Sequence, residues 1–511
     1  MKKIFTILFL FFIVSVNAQS LTSNPSFVTE ASSNIEITMD ANFGGKELLN
    51  YANTSDVYVH IGAITSKSVD LNDWKYVKFQ WGTTNAQAQC SYLGNNKWKY
   101  TITGNVRTFF GIVDGAETIN KIAIIFRNGS GNKQQRNTDG SSNMYVSINN
   151  ANLHVRIDQP FSQATYVPKP EPISKSVGDG VGITANSNIA GTLNLYFNGN
   201  LLATSSTTSV SANATIATPG SQQIIAEAIS GANTARDTFN FTASGSSPIA
   251  DLPAGLKDGI NYEQGDTSVT LVLFAPQKSS VFVIGDFNNW TASSSSLMNV
   301  TPDKNRYWIK IKGLTPGTEY AYQYLIDGNI KVADYNTEKV LDPDNDKYIS
   351  AETYPNLKAY PTGKTTGIVS VLQTAKPKYT WQVTSFSRPN KHNLMIYELL
   401  VRDFIAKQNW QTLKDTLSYL KRLGINAIEI MPFNEFEGNN SWGYNPSFYF
   451  APDKAYGTET ALKQLIDECH KQGLAVIMDI VLNHTFNQSP MAQMYWDAVN
   501  NRPAANNPWY N

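Results

Sequence analysis

The chain has little cysteine: Cys90 and Cys469 are the only two in 511 residues. Two thiols in distant segments cannot build a disulfide framework or a cysteine-type zinc site, and the five scattered histidines do not make up the set. Both are expected as packed thiols, since Cys469 falls on the apolar face of a predicted helix. Charge is also scarce. Asp, Glu, Lys and Arg make up 16% of residues, and the two signs balance at 41 each with no basic block. That balance leaves no field to gather phosphates or anionic lipid, so nucleic acid is excluded as an expected partner. A long apolar run occurs once, from Ile4 to Val14. Lys2 and Lys3 precede it and Val16-Asn17-Ala18 follows, the pattern of a secretory leader too short to span a bilayer. Residues 1–18 are read as a cleaved signal peptide. The mature chain is expected to be secreted, extracellular or at the cell surface, without membrane insertion.

Aromatic and neutral polar residues are plentiful: Phe, Trp and Tyr reach 12%, beside frequent Asn, Ser and Thr. This composition suits an exported β-rich protein with neutral ligands such as carbohydrate. A chain of 511 residues is too long for one core and should divide into about three or four domains. Residues 21–165 read as a β-sandwich, with Val57–Ile61 and Ile122–Phe126 as short strands. Val167-Pro168-Lys169-Pro170-Glu171-Pro172 reads as a stiff linker. Residues 173–244 alternate in short β segments around a hairpin turn at Phe197–Leu201 and contain no Trp, which reads as an immunoglobulin-like spacer. Gly245-Ser246-Ser247-Pro248 marks the next joint. Residues 249–345 then carry successive strands, from Val269–Pro276 to Tyr320–Gly328, and 346–393 read as an irregular connector.

From Leu394 the apolar period changes. Leu394–Leu400 is a strand, and Trp410, Leu413, Leu417, Leu420 and Leu423 then recur at helical spacing up to Gly424. Ile425–Met431 is a second strand. Thr458 can cap a helix through Leu462, Leu465, Ile466 and Cys469 to Gly473, and Leu474–Asp479 is a third strand. Strand, helix, strand, helix, strand with short connections opens a parallel α/β architecture; periodicity alone does not choose between an open sheet and a closed barrel. The third strand runs out through Asp479 to Asn483-His484, where an apolar run ends in polar groups of sugar-binding type.

Together, Ile396–Phe404, Ser441-Trp442-Gly443-Tyr444-Asn445-Pro446 and Met478–His484 resemble the start of the catalytic barrel of α-amylase family (family 13) glycoside hydrolases. Gly285-Asp286-Phe287-Asn288-Asn289-Trp290 and its flanking strands are similar to the family 48 carbohydrate-binding module. Phe126–Asn132 loosely resembles the sheet-edge segment of starch-binding modules of the family 25 and 26 type. The resemblance implies starch-binding-like, immunoglobulin-like and family 48-like sandwiches, followed over 394–511 by the first part of a (β/α)8 TIM barrel. It implies that Tyr444 stacks under a sugar, that His484 bonds the sugar's hydroxymethyl group and that Asp479 fixes the site, with Trp442 on the same loop. It also implies a structural Ca2+ ligated by Asn483. Glu398, Asp403 and Glu429 receive no chemical role and read as structural polar groups, while His470 reads as a surface or supporting residue. Trp74, Trp81 and Trp98 of the outer sandwich, and Trp290 and Trp308, are glucan platforms or core, because a sandwich Trp packs inward as readily as it stacks on a sugar.

The family's retaining mechanism needs two carboxyl groups about 5–5.5 Å apart. Its nucleophile sits in a G-F-R-x-D-like segment after the fourth strand, and no such segment occurs up to Asn511. About 118 residues from 394 onward compare with roughly 250 for a whole barrel. The expectation is the front part of a longer protein, catalytically inactive as written. Its parent would hydrolyse α-glucosidic bonds of starch, glycogen or maltooligosaccharides with retention, as an α-amylase or debranching enzyme. The alternatives are a non-catalytic exported starch- or glycogen-binding protein, a glucan-branching transferase of the same family, and a surface protein of stacked sandwiches.

Overall fold

Alternation of buried and exposed residues builds most of the molecule. The computed structural model describes residues 20–136, 143–160, 175–498 and 500–510. The leader at 1–18 and the Pro-rich segment 167–172 lie outside the described residues. The chain divides into two units, one of residues 1–173, 179–215 and 222–241, the other of residues 174–178, 216–221 and 242–511.

In the first unit, one sheet runs in the order Leu21–Asn24, Ser33–Asp40, Lys97–Asn105, Ser91–Gly94. It packs on a sheet in which Val57–Thr65 pairs antiparallel with Ile119–Asn128. Along Lys97–Asn105 the alternate residues Trp98, Tyr100 and Ile102 are buried, so the period of two selects the face turned inward. A second sandwich follows. Its hairpin of Thr192–Phe197 and Asn200–Ser205 turns at Asn198 and Gly199, both at positive φ (50° and 79°), the backbone a two-residue turn of this hand requires. Val155–Gln159, expected within the first sandwich, instead pairs with Gly180–Ser187 of the second.

The second unit holds a further sandwich. One of its sheets runs Gly259–Tyr262, Ser268–Phe274, Arg306–Lys312, Asn299–Val300; the other runs Val281–Gly285, Glu319–Ile326, Val369–Gln373, Val340–Leu341. Val369–Gln373 lies in the stretch expected to be an irregular connector, yet it pairs with Glu319–Tyr322 and buries Val369 and Leu372. Five residues are too few to declare a strand without their partner.

Beyond it, Ile396–Leu399, Ala427–Ile430 and Ala475–Met478 form a parallel sheet in register. Two helices, Trp410–Arg422 and Glu459–Lys471, connect them and bury Trp410, Leu413, Leu417 and Leu420 from one and Leu462, Leu465 and Cys469 from the other. Asn409 and Thr458 cap them, accepting from the backbone N–H of Thr412 and Ala461. Leu423 departs from the expected face and is exposed, because the chain leaves the helix there toward Gly424 at φ +79°. Among the described residues neither outer strand of this sheet has a further partner, and Ile396 and Met478 are exposed. Both cysteines are free and buried, and among the described residues no helix is long and apolar enough to cross a membrane.

Candidate functional site

The loop after the second parallel strand and the segment leaving the third come together. Gly443 sets the course of the loop: its φ is +88°, and a Cβ there would stand 1.9 Å from the carbonyl oxygen of Pro432. Only glycine fits that approach. The turn leaves Trp442 61% exposed and Tyr444 39% exposed, and the Ser441 hydroxyl accepts from the Gly443 N–H at 3.0 Å. The Tyr444 hydroxyl donates to Asp479 Oδ2 at 2.7 Å. His484 Nε2 lies 2.6 Å from the Tyr444 carbonyl oxygen. A carbonyl only accepts, so this nitrogen carries the hydrogen, and Nδ1 of the neutral ring is left as an acceptor. The structure thus brings Tyr444, Asp479 and His484 into one constellation with Trp442 beside it.

Two further contacts hold the segments together. The Tyr449 hydroxyl donates to the His484 carbonyl at 2.8 Å, and the Pro446 carbonyl accepts both the Thr485 hydroxyl and the Phe486 N–H at 2.8 Å. The bond to Asp479, together with burial and the nearby carboxylates of Asp479, Glu398 and Glu429, pushes the Tyr444 hydroxyl up to about 12. Ionising it would set a phenolate against a carboxylate, so Tyr444 stays a neutral donor.

Glu398 and Glu429 occupy opposite places in the register of the first two strands, on the sheet that carries this face. Asp403 pairs with its neighbour Arg402 at 2.7 Å, and Arg402 also donates to Asn440 Oδ1 at 3.0 Å, tying the end of the first strand to the loop before Trp442. His470 stacks on Phe386, ring centroids 4.1 Å apart. Asn483 is exposed. Among the described residues no three His, Cys, Asp or Glu side chains converge on one point.

The tryptophans separate by burial. Trp98 is fully buried, its indole N–H donating to the Thr54 carbonyl at 2.9 Å. It is core and not a platform, because it takes the inward position of an alternating strand. Trp74 is half-buried and stacks on His60, centroids 5.6 Å apart at 25°, and Trp81 meets the same His60 edge-on at 5.2 Å. Trp81 is 39% exposed and lies over the wholly buried Arg127 guanidinium, 5.5 Å from its ring centroid. Arg127 donates to the carbonyls of Thr83 (2.7 Å) and Gly129 (3.0 Å), which fixes the two loops flanking Trp81. Trp290 is half-buried between two small apolar clusters, its indole N–H donating to Asp286 at 3.0 Å. Trp308 is half-buried on the outer side of its strand, between inward Tyr307 and Ile309.

Sequence reasoning missed Tyr449, Arg402 and a buried group at the base of the loop. There Lys454, 3% exposed, reaches Glu435 at 2.5 Å and Asp346 at 3.3 Å. Burial pushes the Glu435 carboxyl up, and that of Asp453 well up. Lys454, Glu435, Asp346 and Asp453 carry no sequence signal for burial; the Lys454–Glu435 pair appears only once the hairpin of Asn434–Phe436 and Pro446–Pro452 has formed.

Residues 383–511 match the family model of the α-amylase catalytic domain, and residues 258–343 match that of carbohydrate-binding module 48, the isoamylase N-terminal domain. A malto-oligosyltrehalose trehalohydrolase of Saccharolobus solfataricus is 30% identical over 182 residues, covering 36% of this chain and 28% of that protein. A 1,4-alpha-glucan branching enzyme GlgB of Cupriavidus pinatubonensis is 28% identical over 234 residues, covering 43% and 29%. The chain therefore spans less than a third of the length of either relative. The solved Group B Streptococcus pullulanase SAP aligns at 17% identity and a TM-score of 0.34, covering 61% of this chain and 45% of its own. The likeness to α-amylase family proteins thus resides in two segments, residues 258–343, similar to carbohydrate-binding module 48, and residues 383–511, similar to the α-amylase catalytic domain.

Proposed function

We propose that residues 394–511 are the opening strands of a (β/α)8 barrel and that Trp442, Tyr444, Asp479 and His484 form a sugar subsite at its C-terminal face, in a secreted enzyme acting on starch, glycogen or maltooligosaccharides. The observation that carries this reading is the Tyr444–Asp479–His484 constellation at the strand ends, where barrel enzymes place their chemistry. The exposed Tyr444 ring offers a π face to a sugar ring and to the positive charge that develops during glycosidic cleavage. Asp479 holds that ring by its hydroxyl, while the free acceptor of His484 suits a sugar hydroxyl. Retaining hydrolysis needs two carboxyl groups, a nucleophile and an acid/base, and of these four residues Asp479 alone is acidic. This face is therefore proposed to bind α-glucan, with cleavage requiring a second carboxyl group beyond these four residues. The trehalohydrolase and branching-enzyme relatives leave hydrolase and transferase as parallel forms of the same reading. Trp81 and Trp74 of the outer sandwich are proposed as an accessory glucan platform, which the Arg127-fixed loops support.

Affinity electrophoresis in glycogen gels tests this. Tyr444→Ala and His484→Ala should each weaken retention by about tenfold, the loss of one ring platform or one well-placed polar contact. Trp81→Ala should weaken it independently. Retention of Tyr444→Ala and His484→Ala equal to wild type rejects the subsite. Reducing-sugar release by the intact gene product decides between the enzyme and a purely glucan-binding protein.

A further inference from the structure

A crevice of about 230 Å3 lies where the family 48 module meets the parallel α/β segment. The module contributes Tyr262, Glu319 and Glu338; the stretch after it contributes Tyr354 and Lys376; the α/β segment contributes Glu459, in the first turn of the helix capped by Thr458. Charges of opposite sign alternate around the walls. Lys376 pairs with Glu338 at 3.3 Å and also with Glu459, and Lys339 pairs with Glu319 at 2.7 Å. Three carboxylates and the ammonium groups of Lys339, Lys376 and Lys454 line the space, so charges of both signs face it. What such walls do provide is fixed acceptors beside fixed donors, the pairing a hydroxyl needs to donate and accept at once.

The rings point the same way. Tyr262 is 48% exposed at the end of an edge strand, and its hydroxyl accepts from the Gln373 N–H at 3.3 Å, which holds the ring in place. Tyr354 is half-buried, with the Lys339 ammonium 5.0 Å from its ring centroid. A seam built only for cohesion would bury such a ring, and ion pairs as exposed as Lys376–Glu338 add little cohesion. One held ring and a second beneath an ammonium group, among matched donors and acceptors, are the makings of a site for a neutral polyhydroxylated ring.

We infer that this crevice is a second carbohydrate site, taking a short α-glucan segment against Tyr262 and bridging the module and the catalytic segment independently of the Tyr444 face. The α linkage rests on the family reading above; the polyol chemistry does not. The full chain is titrated calorimetrically with maltotriose and with cellotriose, as wild type, Tyr262→Ala, Glu338→Gln and Tyr444→Ala. Tyr262→Ala should remove one binding component or weaken it by about tenfold, a ring platform's share of affinity. Glu338→Gln should weaken the same component, and Tyr444→Ala should leave it in place. Maltotriose binding unchanged in both Tyr262→Ala and Glu338→Gln overturns the site, even where Tyr444→Ala abolishes binding and the barrel-face reading stands. A component lost with Tyr262 and kept without Tyr444 upholds it, even where the barrel-face reading fails. Wild type that binds no maltotriose, or binds cellotriose equally well, overturns the α-glucan assignment.

Discussion

Asp334 shows how far a single residue can be taken. It is fully buried in the family 48 module, where its carboxylate accepts from the hydroxyls of Tyr322 and Tyr324 at 3.0 and 3.1 Å and from the Asn336 N–H. Burial pushes its carboxyl up to about 6, with those hydrogen bonds working in the opposite direction. The folded chain therefore holds a proton that the unfolded chain has released between about pH 4 and pH 6, so stability falls as pH rises through that window. The loss is on the order of 3 kcal/mol. Urea midpoints at pH 4 and pH 7 should show a drop in wild type that is smaller in Asp334→Asn. An equal drop in both assigns the effect to other groups. Residues of this kind were illegible beforehand, because nothing in the run Val332-Ala333-Asp334-Tyr335 distinguishes a buried carboxyl from a solvated one. Tyr444, Asp479 and His484 were legible because each belongs to a motif tied to a strand end. Tyr449 belongs to no motif, and its bond to the His484 backbone arises from a hairpin whose register no local pattern encodes.

Among elements, the two long helices were the most legible, since Leu413, Leu417 and Leu420, and Leu462, Leu465 and Cys469, repeat at helical spacing between a capping side chain and a glycine. Their ends fall slightly short of the expected ones, at Arg422 before Leu423 and at Lys471 before Gly473. The strand Val369–Gln373 was not legible: its short apolar run becomes a strand through pairing with Glu319–Tyr322, about fifty residues upstream in the chain. The same dependence on distant partners put Val155–Gln159 in the second sandwich. The loop that carries Trp442 and Tyr444 depends on one residue, Gly443. Gly443→Ala should cost about 1–3 kcal/mol through its strained φ, with the Pro432 contact adding to it. It should also weaken glucan retention by displacing Tyr444. Denaturant unfolding and gel affinity on the same variant check both, and an alanine variant of native stability would mean the loop has another conformation within reach.

At the scale of the whole molecule, the division into two units predicts more than one unfolding step. Calorimetry should resolve at least two transitions, and the Asp334→Asn substitution should shift only the one belonging to residues 242–511; a single transition moving as one would show that the units unfold together. Each unit also contains one buried, protonated thiol: Cys90 in the first and Cys469 in the second, both held well above the usual thiol range by burial. Neither reacts while its own unit is closed. A thiol-reactive mass tag added to the native chain therefore becomes a two-channel clock, in which the peptide that gains the tag names the unit that opened and the rate of gain times its opening.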